Sequence, residues 1–163
     1  LEEGTQVGPL INSKQREWVQ KVVNETVAQG AKLLCGGETP ADFGKGYFFK
    51  PTVLAHVTTE MTAFTHEIFG PVLALTPFSS TEEAIALANQ TDYGLAGFVW
   101  TNDLRNAVRV SEALECGMVG VNDWYPHGTE APFGGWKQSG NGYELGHDGI
   151  LEYMEKKVIG WGI

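Results

Sequence analysis

Trp18, Val19, Val22, Val23 and Val27 recur at helical spacing between a cap at Asn12 or Ser13 and a stop at Gly30, which predicts an amphipathic helix. The spacing then changes. Lys32-Leu33-Leu34-Cys35 is a short apolar run followed by Gly36-Gly37, read as a buried strand and a turn. Tyr47-Phe48-Phe49 and Thr52-Val53-Leu54 flank Pro51, and proline assigns such a segment to a sheet edge or a bend. Val72 to Leu75 makes the next buried strand. Ser80-Thr81-Glu82-Glu83 reads as a capping box that starts a helix through Ala84, Ile85, Leu87 and Ala88. Ala96 to Trp100 is again strand. Asn102 or Asp103 caps a helix through Leu104, Val108 and Leu114, and Gly117 closes it before the strand Met118 to Val121.

Apolar strands alternating with helices predict βαβ crossovers. The fold class is therefore α/β, an open, mostly parallel sheet with helices on both faces. From Asn122 to Asp148 the chain is rich in glycine and aromatics with little periodicity, and so long a loop in a compact domain marks either function or poor order. Glu152 to Ile159 reads as extended and suited to pairing outside the chain's own core. The expected division is 1–148 for the main α/β domain and 149–163 for a terminal strand and tail.

Composition narrows the classes. A chain of 163 residues with a net charge of −9 opposes the phosphates of nucleic acid and of anionic membranes, so neither is an expected partner. No apolar run approaches the roughly 20 residues of a membrane span and no signal-peptide pattern opens the chain, so a soluble cytoplasmic protein is expected. The chain starts at Leu1 and enters its helical pattern almost at once, as a piece of something longer would. His56, His66, His127 and His147 lack metal-ligand spacing, so no metal site is expected. The glycines from Gly134 to Gly142 do not spell a dinucleotide fingerprint, and Gly36-Gly37 and Gly134-Gly135 are read as turns.

The stretch HEIFGPVLAL, His66 to Leu75, sets Glu67 two residues from Phe69 ahead of Gly70-Pro71 and an apolar run. In an extended segment the two side chains project to the same side, Gly70 admits a ligand to the backbone, and Pro71 stiffens the entry to the strand. A carboxylate accepts hydrogen bonds from both hydroxyls of a ribose, and a flat ring packs on a nicotinamide. The same spacing also describes a surface acid and a core phenylalanine, and alone it does not choose.

Eight blocks in one order do choose. VGPLI (Val7 to Ile11), GAKLLCGG (Gly30 to Gly37), GYFFKPTVL (Gly46 to Leu54), EIFGPV (Glu67 to Val72), YGLAGFV (Tyr93 to Val99), GMVGVN (Gly117 to Asn122), APFGGWKQSGNGYELG (Ala131 to Gly146) and the closing EYMEKKVI resemble the NAD(P)-dependent aldehyde dehydrogenase superfamily. The resemblance implies NAD or NADP as cofactor, with Glu67 on the nicotinamide ribose and Phe69 on the nicotinamide. It implies an aldehyde channel lined by Phe133, together with Trp124 and Tyr125 of the same loop, and a proton-handling network that includes Glu144. Tyr143 departs from the pattern, for the family usually has arginine there, whose five donors one phenol does not replace. It further implies a homodimer or homotetramer joined through the C-terminal strand.

The family oxidises aldehydes to acids through a thiohemiacetal and a thioester on a cysteine. Neither Cys35 nor Cys116 suits that role: Cys116 falls at the C-terminal end of a predicted helix, and Cys35 in an apolar strand, and both settings raise a thiol pKa. In the family the nucleophile precedes the VGPLI block, so the chain reads as a C-terminal part that is inactive alone. No arginine follows Arg109, so the aromatic loop offers no clamp for a carboxylate-bearing semialdehyde. The VND and GGWKQSG pieces resemble the betaine aldehyde branch, which favours a betaine-type or amino aldehyde over succinate semialdehyde. The rival reading is a noncatalytic binding or oligomerisation module of the same origin, which a start codon adjacent to Leu1 would favour.

Overall fold

A computed structural model describes residues 3–41, 44–124 and 128–162. The chain divides into two compact units, Leu1–Phe78 and Ser79–Ile163.

In the first unit, helix α1 (Ser13–Ala28) starts where the Asn12 side chain accepts the Gln15 N–H at 2.8 Å. It ends in a Schellman motif: Gly30, at φ +114°, lets its own N–H reach Val27 O and the Ala31 N–H reach Thr26 O. Val19, Val22, Val23 and Thr26 are buried along one face. Thr26 is satisfied there, its hydroxyl donating to Val22 O at 2.7 Å and accepting the Ala63 N–H at 3.1 Å. Strand β1 (Lys32–Cys35) pairs antiparallel with β2 (Thr52–Ala55). After the single turn α2 (Thr62–Thr65), β3 (Val72–Leu75) pairs parallel with β2 in the register Thr52↔Val72 to Ala55↔Leu75.

Three expectations change here. β2 is the centre of the order β1-β2-β3 and not an edge; Pro51 stands one residue before the ladder, where its missing N–H breaks no bond. β1 is exposed along its whole length, and β3 alternates between half-buried and exposed positions, so neither is a buried strand. The core lies instead between α1 and one face of the sheet, with Phe49, Leu54, Val57, Met61 and Ile68 joining the valines of α1.

In the second unit, α3 (Thr81–Asn89) is capped by Ser80, whose hydroxyl accepts the Glu83 N–H. The Glu83 carboxylate reaches back to the N–H and hydroxyl of Ser79 at 2.7 and 2.6 Å, one residue earlier than in the expected box. Strands β4 (Tyr93–Gly94) and β5 (Ala96–Val99) follow, then α4 (Leu104–Ala113), whose N-cap Asp103 accepts the N–H groups of Arg105 and Asn106. β6 (Met118–Val121) pairs parallel with β5, completing a βαβ unit. The expected loop contains β7 (Phe133–Gly134), β8 (Trp136–Lys137) and β9 (Tyr143–Glu144), with β4 antiparallel to β8 and β7 antiparallel to β9, before α5 (Gly146–Leu151).

The class is α/β, with parallel pairs at the two crossovers and antiparallel pairs elsewhere. Gly117 does not close α4, which stops at Ala113. A Cβ at Gly117 would stand 1.9 Å from Gly134 O, so its smallness serves a close backbone approach. Gly134 is strand and not turn, pairing with Tyr143 across the β7/β9 ladder, and the Tyr143 ring lies where its side chain would be. Glu152 and Tyr153 close α5, and 154–162 run without helix or strand, Val158 being 96% exposed. No helix of the described residues is long and apolar enough to cross a membrane.

Candidate functional site

Glu67 and Phe69 leave the single turn α2 on a segment held from behind. Ile68 between them is buried in the core of the first unit. Gln15, in the first turn of α1, donates from one side-chain nitrogen to Ile68 O at 2.8 Å and to Phe69 O at 3.2 Å. A Cβ at Gly70 would stand 2.6 Å from a Val19 methyl, so the glycine lets α1 approach the loop, where a ligand was the expected neighbour. His66 meets Trp18 edge-on at 5.9 Å.

The segment is not extended throughout, contrary to the expectation from spacing. Phe69 has φ +50°, a left-handed conformation that is an outlier for a bulky side chain and stores about 1–3 kcal/mol. Phe69 is nonetheless 73% exposed, and Glu67 is exposed beside it. A strained backbone that presents an aromatic side chain to solvent loses on both counts in the isolated chain.

In the second unit, Phe133 and Glu144 stand opposite each other on the β7/β9 ladder, and Gly134 opposite Tyr143. They line a cleft of about 370 Å³ with Leu95, Tyr143, Glu152 and Tyr153. The Tyr143 ring covers Gly134, so that a Cβ added there would stand 2.4 Å from ring atom Cδ1; the ring packs on backbone. Lys137, itself at φ +52°, fixes the neighbouring strand. Its ammonium donates to Asn89 O at 2.8 Å and Thr91 O at 3.1 Å, at the C-terminal end of α3, and pairs with Glu115 at 2.7 Å. Trp124 is exposed and is not among the residues lining the cleft. Tyr125, also expected in the channel, and His127 lie outside the described residues.

The sequence model of the aldehyde dehydrogenase family matches residues 1–159. The chain belongs to the aldehyde dehydrogenase family. It is 46% identical over 157 residues to the betaine aldehyde dehydrogenase of Bacillus subtilis (strain 168), covering 95% of this chain and 32% of that protein. To the mitochondrial succinate-semialdehyde dehydrogenase of Rattus norvegicus it is 48% identical over 162 residues, covering 99% and 31%. Its fold superposes on a Mycobacterium tuberculosis aldehyde dehydrogenase crystallised with NAD+ with a TM-score of 0.91 and 41% identity, over 99% of this chain and 34% of that one. The chain thus spans about a third of the length of the curated relatives it matches.

The two cysteines differ in their surroundings. Burial pushes the Cys116 thiol up, against smaller opposing effects of hydrogen bonds with Met118 and Gly97 and of the Lys137 charge. The direction is the expected one, but the cause is desolvation, since α4 ends before Cys116. Cys35 is exposed, not buried in an apolar strand as expected. Among the described residues no cluster of His, Cys, Asp or Glu could hold a metal ion.

The sequence pattern did not single out Gln15 or Lys137. For Gln15 a signal existed: it lies four residues before Val19, so it is a polar group on the stripe that α1 buries. For Lys137 none did, because its partners are 22, 46 and 48 residues away.

Proposed function

We propose that this chain is the later part of the catalytic apparatus of an aldehyde dehydrogenase that oxidises an aldehyde to a carboxylic acid with NAD or NADP. The observation that carries the reading is the strained, solvent-facing Phe69 beside an exposed Glu67. The residues fit part of a nicotinamide nucleotide: the Glu67 carboxylate accepts from the ribose hydroxyls, and the Phe69 ring packs on the nicotinamide. The bound cofactor supplies the acceptor for the two electrons the aldehyde loses. Phe133 lines the aldehyde's path, and Glu144, opposite Phe133, belongs to the network that handles protons.

The nucleophilic cysteine lies outside these 163 residues. Supporting this, the Cys116 thiol is pushed up by burial, the wrong direction for a nucleophile. The substrate class we favour is a betaine-type or amino aldehyde. Relatives bear the names betaine aldehyde, aminoaldehyde and succinate-semialdehyde dehydrogenase, and no arginine after Arg109 is present to clamp a second carboxylate. We further propose a cytoplasmic homodimer or homotetramer, with 149–163 as its assembly segment, on the strength of the exposed Val158, Ile159 and Trp161.

The test is cofactor titration of the protein that carries this chain. Glu67→Gln and Phe69→Ala are each expected to raise the NAD dissociation constant about tenfold, and unchanged affinity in both overturns the cofactor assignment. The 163-residue chain alone is expected to form no NADH from any aldehyde; clear turnover would overturn the placement of the nucleophile.

A further inference from the structure

We propose that Gln15 is a positioning residue for cofactor recognition: its side-chain amide holds the backbone of Ile68 and Phe69 so that the Phe69 ring stays presented. The inference rests on the reading of Glu67 and Phe69 as cofactor contacts and adds to it a residue that does not itself touch the cofactor.

One amide nitrogen carries two N–H groups, and Gln15 uses that nitrogen on two consecutive carbonyls, Ile68 O and Phe69 O. Consecutive carbonyls of an extended chain point to opposite sides. Both reach one nitrogen because the chain turns at Phe69, where φ is +50°. The bonds of Gln15 therefore favour the left-handed form of Phe69 over an extended one. A bulky residue keeps such a conformation only where its surroundings over-determine it.

The donor is itself fixed. Asn12 accepts the Gln15 backbone N–H at 2.8 Å, so the amide sits on a capped first turn. Four residues on, Val19 fills the space over Gly70. Val19 demands only a small residue at position 70, whereas the Gln15 amide is directional and sets which way the peptides on either side of Phe69 face.

A double-mutant cycle on the protein that carries this chain tests the inference. Gln15→Leu keeps the apolar stripe and helix propensity of α1 while removing both donors. It is expected to raise the NAD dissociation constant about tenfold in the wild-type background and less than about twofold in a Phe69→Ala background. Gln15→Lys, which keeps N–H donors on a long side chain, is expected to stay within about threefold of wild type. Amide hydrogen exchange across 68–70 is expected to quicken in Gln15→Leu without added cofactor. An equal loss in both backgrounds overturns the positioning role, and so does wild-type affinity of Gln15→Leu while Phe69→Ala binds weakly. Unchanged affinity of Phe69→Ala and Glu67→Gln identifies failure of the cofactor reading instead, and removes the inference with it.

Discussion

Phe69 is presented beside Ile68, which lies in one core cluster with Val19, Leu54 and Val57. Phe133 and Glu144 occupy a two-residue ladder in a unit whose only buried hydrophobic residues, among those described, are Ala107 and Met118. In the first unit a helix face and a sheet face meet and leave one loop free to strain. In the second, backbone meets backbone: Gly117 against Gly134, and Gly134 under the Tyr143 ring. Two segments with equally dense motifs thus hold their side chains by different forces. One relies on apolar burial, which tolerates a polar brace such as Gln15; the other relies on the absence of side chains, which tolerates nothing larger.

The largest effect bearing on this contrast is expected from Leu54→Ala. Leu54 is fully buried, so its truncation costs about 3 kcal/mol through lost transfer and a residual cavity. Leu104→Ala, at a side chain 79% exposed in the second unit, is expected to stay within about 0.5 kcal/mol. Urea unfolding of both variants checks the pair, and a comparable cost at Leu104 would break the contrast.

Next comes Gly117→Ala. The added methyl meets the carbonyl of Gly134 and no flexible side-chain end, so the strand must move at a cost of about 2 kcal/mol. Peptide-resolved hydrogen exchange is expected to show loosening at β6, β7 and β9. Wild-type protection there would mean that the close approach is not what orders the ladder.

The smallest effect concerns pH. Glu83 titrates below its ordinary value of 4.5, chiefly because the Ser79 hydroxyl, and then the Ser79 N–H, donate to its ionised carboxylate. A lowered folded pKa means that this stabilisation is present above about pH 4.5 and lost as pH falls through the folded value. Glu83→Gln is therefore expected to lessen the drop in urea midpoint between about pH 6 and about pH 3. An unchanged drop would show that the Ser79 bonds do not survive in solution, where the pair is exposed.

Much of the architecture was legible. Ser80 caps the helix it was expected to start, and Asn12 and Asp103 cap theirs, each being one of two expected neighbours, because a cap is settled within three residues of chain. The strands at 32–35, 52–55, 72–75, 96–99 and 118–121 stand where apolar runs predicted them. Their burial was not legible: a strand's apolar residues show that a face can be covered, not that it is. β1, exposed throughout, is the example. The short pieces β7, β8 and β9 were hidden in a glycine-rich stretch, since two-residue strands have no period to detect. Of the site residues, Glu67 and Phe69 were read as neighbours on one extended face; both are exposed, but through a left-handed turn that spacing does not encode.

The linear chain was enough to set the helix starts, the order of strands and helices, and, through eight ordered blocks, membership of the aldehyde dehydrogenase family. Each of these is written in residues a few positions apart or in their succession. It took the folded molecule to make β2 central, to place Gly70 under Val19 and Gly117 against Gly134, and to bring Gln15 to Phe69. Those outcomes depend on contacts between residues 17 to 54 positions apart. Packing chooses among them by excluded volume and by where a free donor finds a carbonyl, and neither can be read until the chain has folded back on itself.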